Sequence, residues 1–386
     1  MGPLLHLVSN GKSAVNAATL TGLFTVVWTF ATTSTALWAV IRPRRSPRRT
    51  SNEERRLVVL RPCAGDEPEL ERALASSAAA RSPVRILIAT AADSAGPTAS
   101  RVAGEIDRAT VVTTGACGPN AKADQLARAL ARESDSWDAV LVADSDVELS
   151  PTVVRALRGA LEHADCAWAP PVEVLPQTFA DRISAAILGA SLHSFPLLAR
   201  LDPGGIVGKT YAMRRDALAS IGGFDSIVGS LGEDMELARR LRASSRRVVA
   251  VSEVAHSLAR GRDLRALVRR YTRWLLVIRA QRPALLLTYP LVLAAAPLQV
   301  FAASLAIASG AELGWLVLAF VVAGRYATAA LAQAAAPSGT RLPLFFPWLA
   351  DVVLLSALVG SLLSRRAHWR GASLRVDRDG ALVESP

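Results

Sequence analysis

Ala139-Val140-Leu141-Val142-Ala143-Asp144-Ser145-Asp146 is the stretch on which the reading of this chain turns. It opens as an unbroken apolar run and closes on two carboxylates. An apolar run without alternation reads as a strand covered on both faces, the condition of a parallel strand in an α/β sheet. The Asp-x-Asp then falls at the carboxyl end of that strand, where open α/β sheets place their ligands. Two carboxylates so close repel one another unless a cation sits between them. Mg²⁺ or Mn²⁺ suits one or two carboxylates plus substrate phosphates. Taken alone, Asp144-Ser145-Asp146 is matched equally well by a solvated turn.

Outward from this stretch, strands and helices alternate. Residues 57–60, 84–90, 110–114 and 138–143 read as strands, with helices over 69–80, 98–108 and 121–132 between them. Such alternation predicts a parallel, doubly wound sheet. Asp93 lies just past the second strand. That position suits a grip on a base or ribose, and equally a helix N-cap or turn. Downstream, 151–163 reads as a helix, 166–171 as a strand and 179–195 as one amphipathic helix. A Gly-rich run ending in Gly208-Lys209 precedes a strand over 210–215. Gly232-Glu233-Asp234 opens a helix to 241, and 248–254 reads as a last strand. Carboxylates at a helix start also complement its dipole, which is the bland account of Glu233 and Asp234.

The 386 residues carry a formal net charge of +11, nearly all of the excess being Arg. The Arg residues cluster at 42–49, 260–282 and 365–378, each beside an apolar segment. That is the pattern of positive charge retained on the cytoplasmic side of a membrane, and it argues against a nucleic-acid partner, as does the 5% aromatic content. Cys63, Cys117 and Cys166 lie far apart without zinc-ligand spacing and read as buried thiols in a reducing compartment.

Residues 13–41 are uncharged, longer than the roughly 20 residues that cross a bilayer, and end on an Arg block instead of a cleavage site. We read a transmembrane helix at 13–41, a basic linker at 42–56, a catalytic domain at 57–259 and a basic amphipathic interfacial helix at 260–283. A membrane domain of about three segments follows at 284–364, then a basic tail at 365–386. Arg325 and Asp351 interrupt the last two segments. An ionisable group at the bilayer centre costs about 3 kcal/mol, so the two are expected to pair across antiparallel neighbours. Counting crossings puts the tail outside, whereas Arg365, Arg366 and Arg370 favour the inside. This leaves open that one of the three segments is re-entrant or interfacial.

In this order the residues resemble the membrane-bound inverting glycosyltransferases of the family 2/21 type, ceramide glucosyltransferase-like and bacterial hopanoid glycosyltransferase-like. The resemblance covers about 57–282, with an echo in Trp369-Arg370-Gly371. It is carried by Arg61-Pro62 through Gly65, by Asp93, by Pro119-Asn120 with Lys122, and by Asp144 with Asp146. Gly208-Lys209 with Met213-Arg214-Arg215, Glu233-Asp234 and Arg270-Tyr271-Thr272-Arg273-Trp274 complete it. The resemblance implies a GT-A-like, nucleotide-sugar-binding α/β domain between N- and C-terminal transmembrane helices. It implies Mg²⁺ or Mn²⁺ on Asp144 and Asp146, and a nucleotide sugar held by Asp93, Lys122, Asp144, Arg270, Arg273 and Trp274. Asp234 is the expected general base, with Glu233 as the alternative. Gly208, Lys209 and His193 fall on the acceptor side.

The activity this implies is transfer of a sugar, from UDP-glucose or UDP-N-acetylglucosamine, to a hydroxyl of a membrane lipid. The expected place is a bacterial inner membrane with the catalytic domain cytoplasmic. A processive polysaccharide synthase shares these motifs. A non-catalytic scaffold binding anionic lipid is the alternative from another class.

Overall fold

The computed structural model describes residues 2–42, 55–65, 67–80, 85–91, 93–115, 119–336, 340–364, 366–369, 372–376 and 382–384, with backbone alone before 17 and after 365. Arg44, Arg45, Arg48, Arg49, Cys117, Arg365 and Arg370 lie outside the described residues.

A long helix, α1 (Gly2–Ile41), precedes the α/β unit. That unit begins with β1 (Leu57–Cys63), α2 (Leu70–Ala75), β2 (Arg85–Thr90), α3 (Ala95–Glu105), β3 (Ala109–Thr113), α4 (Ala121–Leu130) and β4 (Ala139–Ala143). It continues through β5 (Val147–Glu148), α5 (Pro151–Ala160), β6 (Cys166–Trp168), β7 (Pro171–Glu173), α6 (Phe179–Gly189) and α7 (Phe195–Leu201). It closes with β8 (Thr210–Arg214), α8 (Arg215–Ser220), α9 (Glu233–Ala243), β9 (Val248–Ala250) and β10 (Ala255–Ser257).

The main sheet has seven strands in the order β3-β2-β1-β4-β8-β6-β9. β1 to β4 are mutually parallel, as βαβ crossovers require. β8 runs antiparallel to both β4 and β6, so the sheet is mixed where strand–helix alternation predicted it all parallel. The chain leaves the sheet after β6 through α6 and α7 and returns in the opposite direction. Alternate residues of β1 serve opposite cores. Leu57 and Val59 pack with Ile86, Leu74 and Val102, while Val58 and Leu60 pack with Leu126, Trp168 and Leu237. Cover on both faces explains the unbroken apolar run of β4. A small sheet, β5-β10-β7, lies against the carboxyl end of the large one.

Two expected elements are broken. The helix expected over 179–195 ends at Gly189, and α7 restarts with Pro196 in its first turn, leaving Leu192 and His193 in an elbow. The strand expected over 166–171 divides into β6 and β7, which belong to different sheets, at Pro170-Pro171.

After α10 (Leu264–Gln281) come a 3-10 turn and a π turn spanning Pro283–Leu293, then α11 (Ala296–Ala308), α12 (Gly314–Ala335) and α13 (Phe346–Leu363). Strands β11 (Arg366–Trp369), β12 (Ala372–Val376) and β13 (Leu382–Glu384) end the chain. Ala17–Ile41, Gly314–Ala335 and Phe346–Leu363 are long and apolar enough to cross a membrane. Pro283–Leu293 and Ala296–Ala308 form a pair bent by 54° where one straight segment was expected over 284–309. Pro290 and Pro297, each in the first turn of its helix, account for the break. Arg325 and Asp351 pair as expected, Nε to Oδ2 at 2.6 Å and Nη2 to Oδ1 at 3.1 Å. The carbonyls of Ala190 and Pro347 each accept one more guanidinium proton.

Candidate active site

β4 ends one residue short of Asp144. The Asp144 amide donates to the Lys209 carbonyl at 2.9 Å, so the β4–β8 pairing sets these two residues side by side. The Val147 amide donates back to the Asp144 carbonyl, closing a turn that returns Asp146 toward the protein. There Ser257, from β10, donates to Asp146 Oδ2 at 2.9 Å. The Lys209 ammonium contacts the same carboxylate and lies 3.7 Å from Asp144 Oδ2.

Lys122 enters from α4. Asn120 caps that helix by accepting the Ala123 amide. From the first turn the ammonium reaches Asp144 Oδ1 at 2.7 Å, Glu233 Oε1 at 2.9 Å and the Gly208 carbonyl at 2.7 Å. Asn120 also donates to Glu233 Oε2 at 3.3 Å. The next acidic residue, Asp234, accepts the Gly208 amide at 2.9 Å and the Met235 amide at 2.8 Å. Asp144, Asp146, Glu233 and Asp234 therefore meet in one cluster at the carboxyl end of the sheet, bridged by two lysines and Gly208.

The electrostatics separate these groups. Burial works against ionisation of Asp146, but the Lys209 charge outweighs it and holds the carboxyl down at about 2. Burial also opposes the Lys122 charge, yet Asp144 and Glu233 keep it raised well above its ordinary value. Glu233 is lowered: burial acts upward, and Lys122 overcomes it. Asp234 goes the other way. Burial and the Glu233 charge raise it to about 6. Of two adjacent carboxyls, one is locked as an anion and the other is set to exchange a proton near neutrality, the arrangement that acid–base chemistry needs.

Asp146 Oδ1 is buried and takes no hydrogen bond from the described residues. Among those residues no cluster of three or more His, Cys, Asp or Glu is arranged to hold a metal. An oxygen pair with an unfilled buried lone pair fits a hard divalent cation whose remaining ligands come from a substrate diphosphate.

Arg270 stands close enough to this cluster for its charge to act on Asp146. Arg270 reaches Glu173 Oε1 at 2.6 Å and covers the Trp274 ring at 4.9 Å. Arg262 shares the same oxygen at 2.9 Å and extends to Asp181 at 3.3 Å. Arg273, on α10 with Arg270, is half-buried. His193 stacks on Trp274, its Nε2 lying 3.2 Å from the Tyr289 hydroxyl, and burial lowers its pKa to about 4, so the ring is neutral. Gly208 and Lys209, expected on the acceptor side, sit within the carboxylate cluster. Asp93 stands apart from it. One oxygen accepts the Gly65 amide at 2.7 Å and the other the Ala95 amide at 3.1 Å, which shapes the loops after β1 and β2.

Glu173, Arg262 and Ser257 were not legible in the sequence. Each is an ordinary polar residue in a short strand or loop, and only the small sheet brings them to Asp146 and Arg270. Asn120 was visible only beside Pro119 and Lys122 in the family resemblance, and neither its capping of α4 nor its grip on Glu233 was.

The family model for glycosyl transferase family 21 matches residues 20–382. A search of curated proteins found no significant match. Among solved structures, the chain is similar to the mannosyltransferase PcManGT from Pyrobaculum calidifontis in complex with GDP-Man and Mn²⁺. The identity is 16%, the TM-score 0.49, and 92% of this chain and 99% of that chain are covered. It is similar too to glucosyl-3-phosphoglycerate synthase from Mycobacterium tuberculosis in complex with phosphoglyceric acid, at 19% identity and a TM-score of 0.41, over 60% of this chain and 80% of that one. The family match runs through the catalytic sheet, the acidic cluster and the apolar helices alike, and the chain belongs to glycosyl transferase family 21.

Proposed function

We propose that the chain transfers a hexose, from UDP-glucose or UDP-N-acetylglucosamine, to a hydroxyl of a membrane lipid with inversion at the sugar carbon. The observation that carries this reading is the meeting of Asp144, Asp146, Glu233 and Asp234 beside a helix that packs on the membrane segments. Asp234 takes the proton of the acceptor hydroxyl as general base. The acceptor oxygen bonds to the sugar carbon as the bond from that carbon to the diphosphate oxygen breaks, and the nucleoside diphosphate departs with the electron pair. Lys122, Arg270 and Arg273 offset the charge that gathers on the leaving group. A divalent cation, Mg²⁺ or Mn²⁺, held by Asp144 and Asp146 supplies Lewis-acid stabilisation of that same charge. Trp274 stacks on the sugar, Asp93 shapes the loop under the nucleoside, and Lys122 steadies Gly208 beneath the sugar. His193, buried and neutral, lines the route from the membrane segments. We place the protein in a bacterial inner membrane with this domain cytoplasmic.

Incubating membranes with labelled nucleotide sugars, with and without EDTA, and weighing the lipid extract by mass spectrometry tests the proposal. One hexose added to a lipid, lost with EDTA and with Asp234→Asn, is expected. A polymer points to a processive synthase. No glycosylated product from any donor overturns the reading.

A further inference from the structure

We infer that α13 does not cross the bilayer but lies in the near leaflet along the membrane face of the catalytic unit, and that the basic tail emerges on the catalytic side. Length and apolarity alone make Phe346–Leu363 a span. Its two ends decide otherwise. Before it, the Thr340 hydroxyl donates to the Glu173 carbonyl at 3.4 Å, and the Glu173 carboxylate holds Arg270 on α10. At its end, the carbonyls of Ser361 in its last turn and Ser364 just beyond accept from Arg279, also on α10, the second at 2.8 Å. A helix of 18 residues is about 27 Å long, close to the thickness of the hydrocarbon core. Crossing would put Thr340 and Ser364 on opposite faces. Instead Glu173, itself paired with Arg270 of α10, holds the first, and Arg279 of the same helix holds the second.

That helix stays at the catalytic side. Just past its end, Arg282 faces Asp202 at 3.6 Å, and nearby Arg200 donates to the carbonyls of Ala39 and Val40 where α1 finishes. α10 and α13 lie flank to flank, since a Cβ on Gly360 would come 3.1 Å from the Thr272 hydroxyl.

The remaining apolar segments do cross. α12 runs parallel to α1: Gly22 faces Val317, Gly324 faces Thr29 and Thr33, and Ala36 shares a cluster with Ala332. The bent pair starts beside Arg282 and ends with Ile307 against Gly314, at the far end of α12. Along the way the Trp28 indole donates to the Leu291 carbonyl at 2.6 Å. α12 thus returns the chain to the catalytic side before α13 begins.

The occupant of the uncovered α13 face is lipid of that leaflet. Val352, Val359 and Leu363 are 49%, 55% and 84% exposed and recur on one side, with Leu344 and Phe345 just ahead of them. Exposed Arg341 and Arg282 flank this strip, as at a boundary between acyl chains and head groups. The placement also ends the conflict between crossings and charge. The strands that end the chain, the first beginning at Arg366, then start on the side where positive charge is retained.

Two measurements on full-length protein in sealed vesicles test this, in a Cys117→Ser background, the other cysteines being buried. Spin labels at Val352→Cys, Val359→Cys and Leu363→Cys report depth. All in the near leaflet is the expected result. A helix that crosses separates the first from the last by about 16 Å at 1.5 Å per residue and puts Leu363 at the far surface, which overturns the inference. A membrane-impermeant maleimide should modify Ser134→Cys and a cysteine appended after Pro386 in the same vesicle orientation. Modification in opposite orientations overturns it.

Discussion

Gly208 donates its amide to Asp234 at 2.9 Å while its carbonyl accepts from Lys122 at 2.7 Å, and Lys122 is bound to Asp144. One glycine, through its amide and its carbonyl, thus joins the proposed base to the carboxylate that ends the central strand. A side chain there would press on both neighbours. A Cβ on Gly208 would lie 3.0 Å from the Asp234 Cβ and 3.2 Å from the Lys122 ammonium. Gly208→Ala is expected to lower kcat at least roughly tenfold by displacing Asp234, a small shift in geometry being expensive at a reacting centre. The melting temperature should move little. Steady-state kinetics with circular dichroism melting checks both.

Asp234, raised to about 6, sets a pH limb. A base works only when deprotonated, and its deprotonated fraction grows as pH rises through the pKa. The acceptor kcat/KM should climb about tenfold per pH unit below about 6 and level off above it. Asp234→Asn should cost about 10²–10⁴ in kcat on the plateau above pH 6, with a smaller difference below it, and abolish the limb. A wild-type profile flat from pH 5 to 8 contradicts the assignment.

Lys209 lies across both proposed cation ligands, contacting Asp146 and standing 3.7 Å from Asp144. Its charge competes with the cation for that space. Lys209→Met should therefore bind Mn²⁺ roughly tenfold more tightly than wild type in the absence of nucleotide, a coupling within the usual range, and Lys209→Arg should not. Titration of free Mn²⁺ by electron paramagnetic resonance, with and without UDP, gives the answer. Wild-type protein that binds no Mn²⁺ even with UDP counts against the cation site. Normal wild-type binding with no gain in Lys209→Met counts against competition alone.

Arg270 is fixed by shape as much as by charge, stacked on Trp274 and paired with Glu173. Lysine keeps the charge but loses the planar fork and the stacking. Arg270→Lys is expected to impair donor turnover nearly as severely as Arg270→Ala. Near-complete rescue by lysine, seen as donor kcat/KM, would show that charge suffices.

Arg325 and Asp351 form a pair buried among helices, 5% and 2% exposed at their side chains. Removing one partner strands the other. Asp351→Asn or Arg325→Gln alone should cost about 3–5 kcal/mol, and the double variant should recover much of it. Thermal unfolding of the four proteins in detergent closes the cycle, and additive effects would show that the groups act independently.

The fold's first half was legible from residue order. The apolar runs at 57–60 and 139–143 could be buried on both sides only as inner strands, and they are neighbours in the sheet. The direction of β8 was not legible, because a strand's hydrophobic pattern is the same read either way. Asp144, Asp146, Glu233 and Asp234 were identifiable as carboxylates at strand and helix ends. Their shared contact with Lys122 and Lys209 was not, since it depends on backbone pairing between β4 and β8.

What the sequence by itself determined was which segments seek lipid, which seek the sheet and where carboxylates end a strand, because these follow from side-chain chemistry and local period. Only the tertiary structure decided which carboxyl is raised and which is lowered, and on which side α13 ends. Charge and depth depend on distance between residues far apart in the chain, and distance of that kind exists only once the chain has packed.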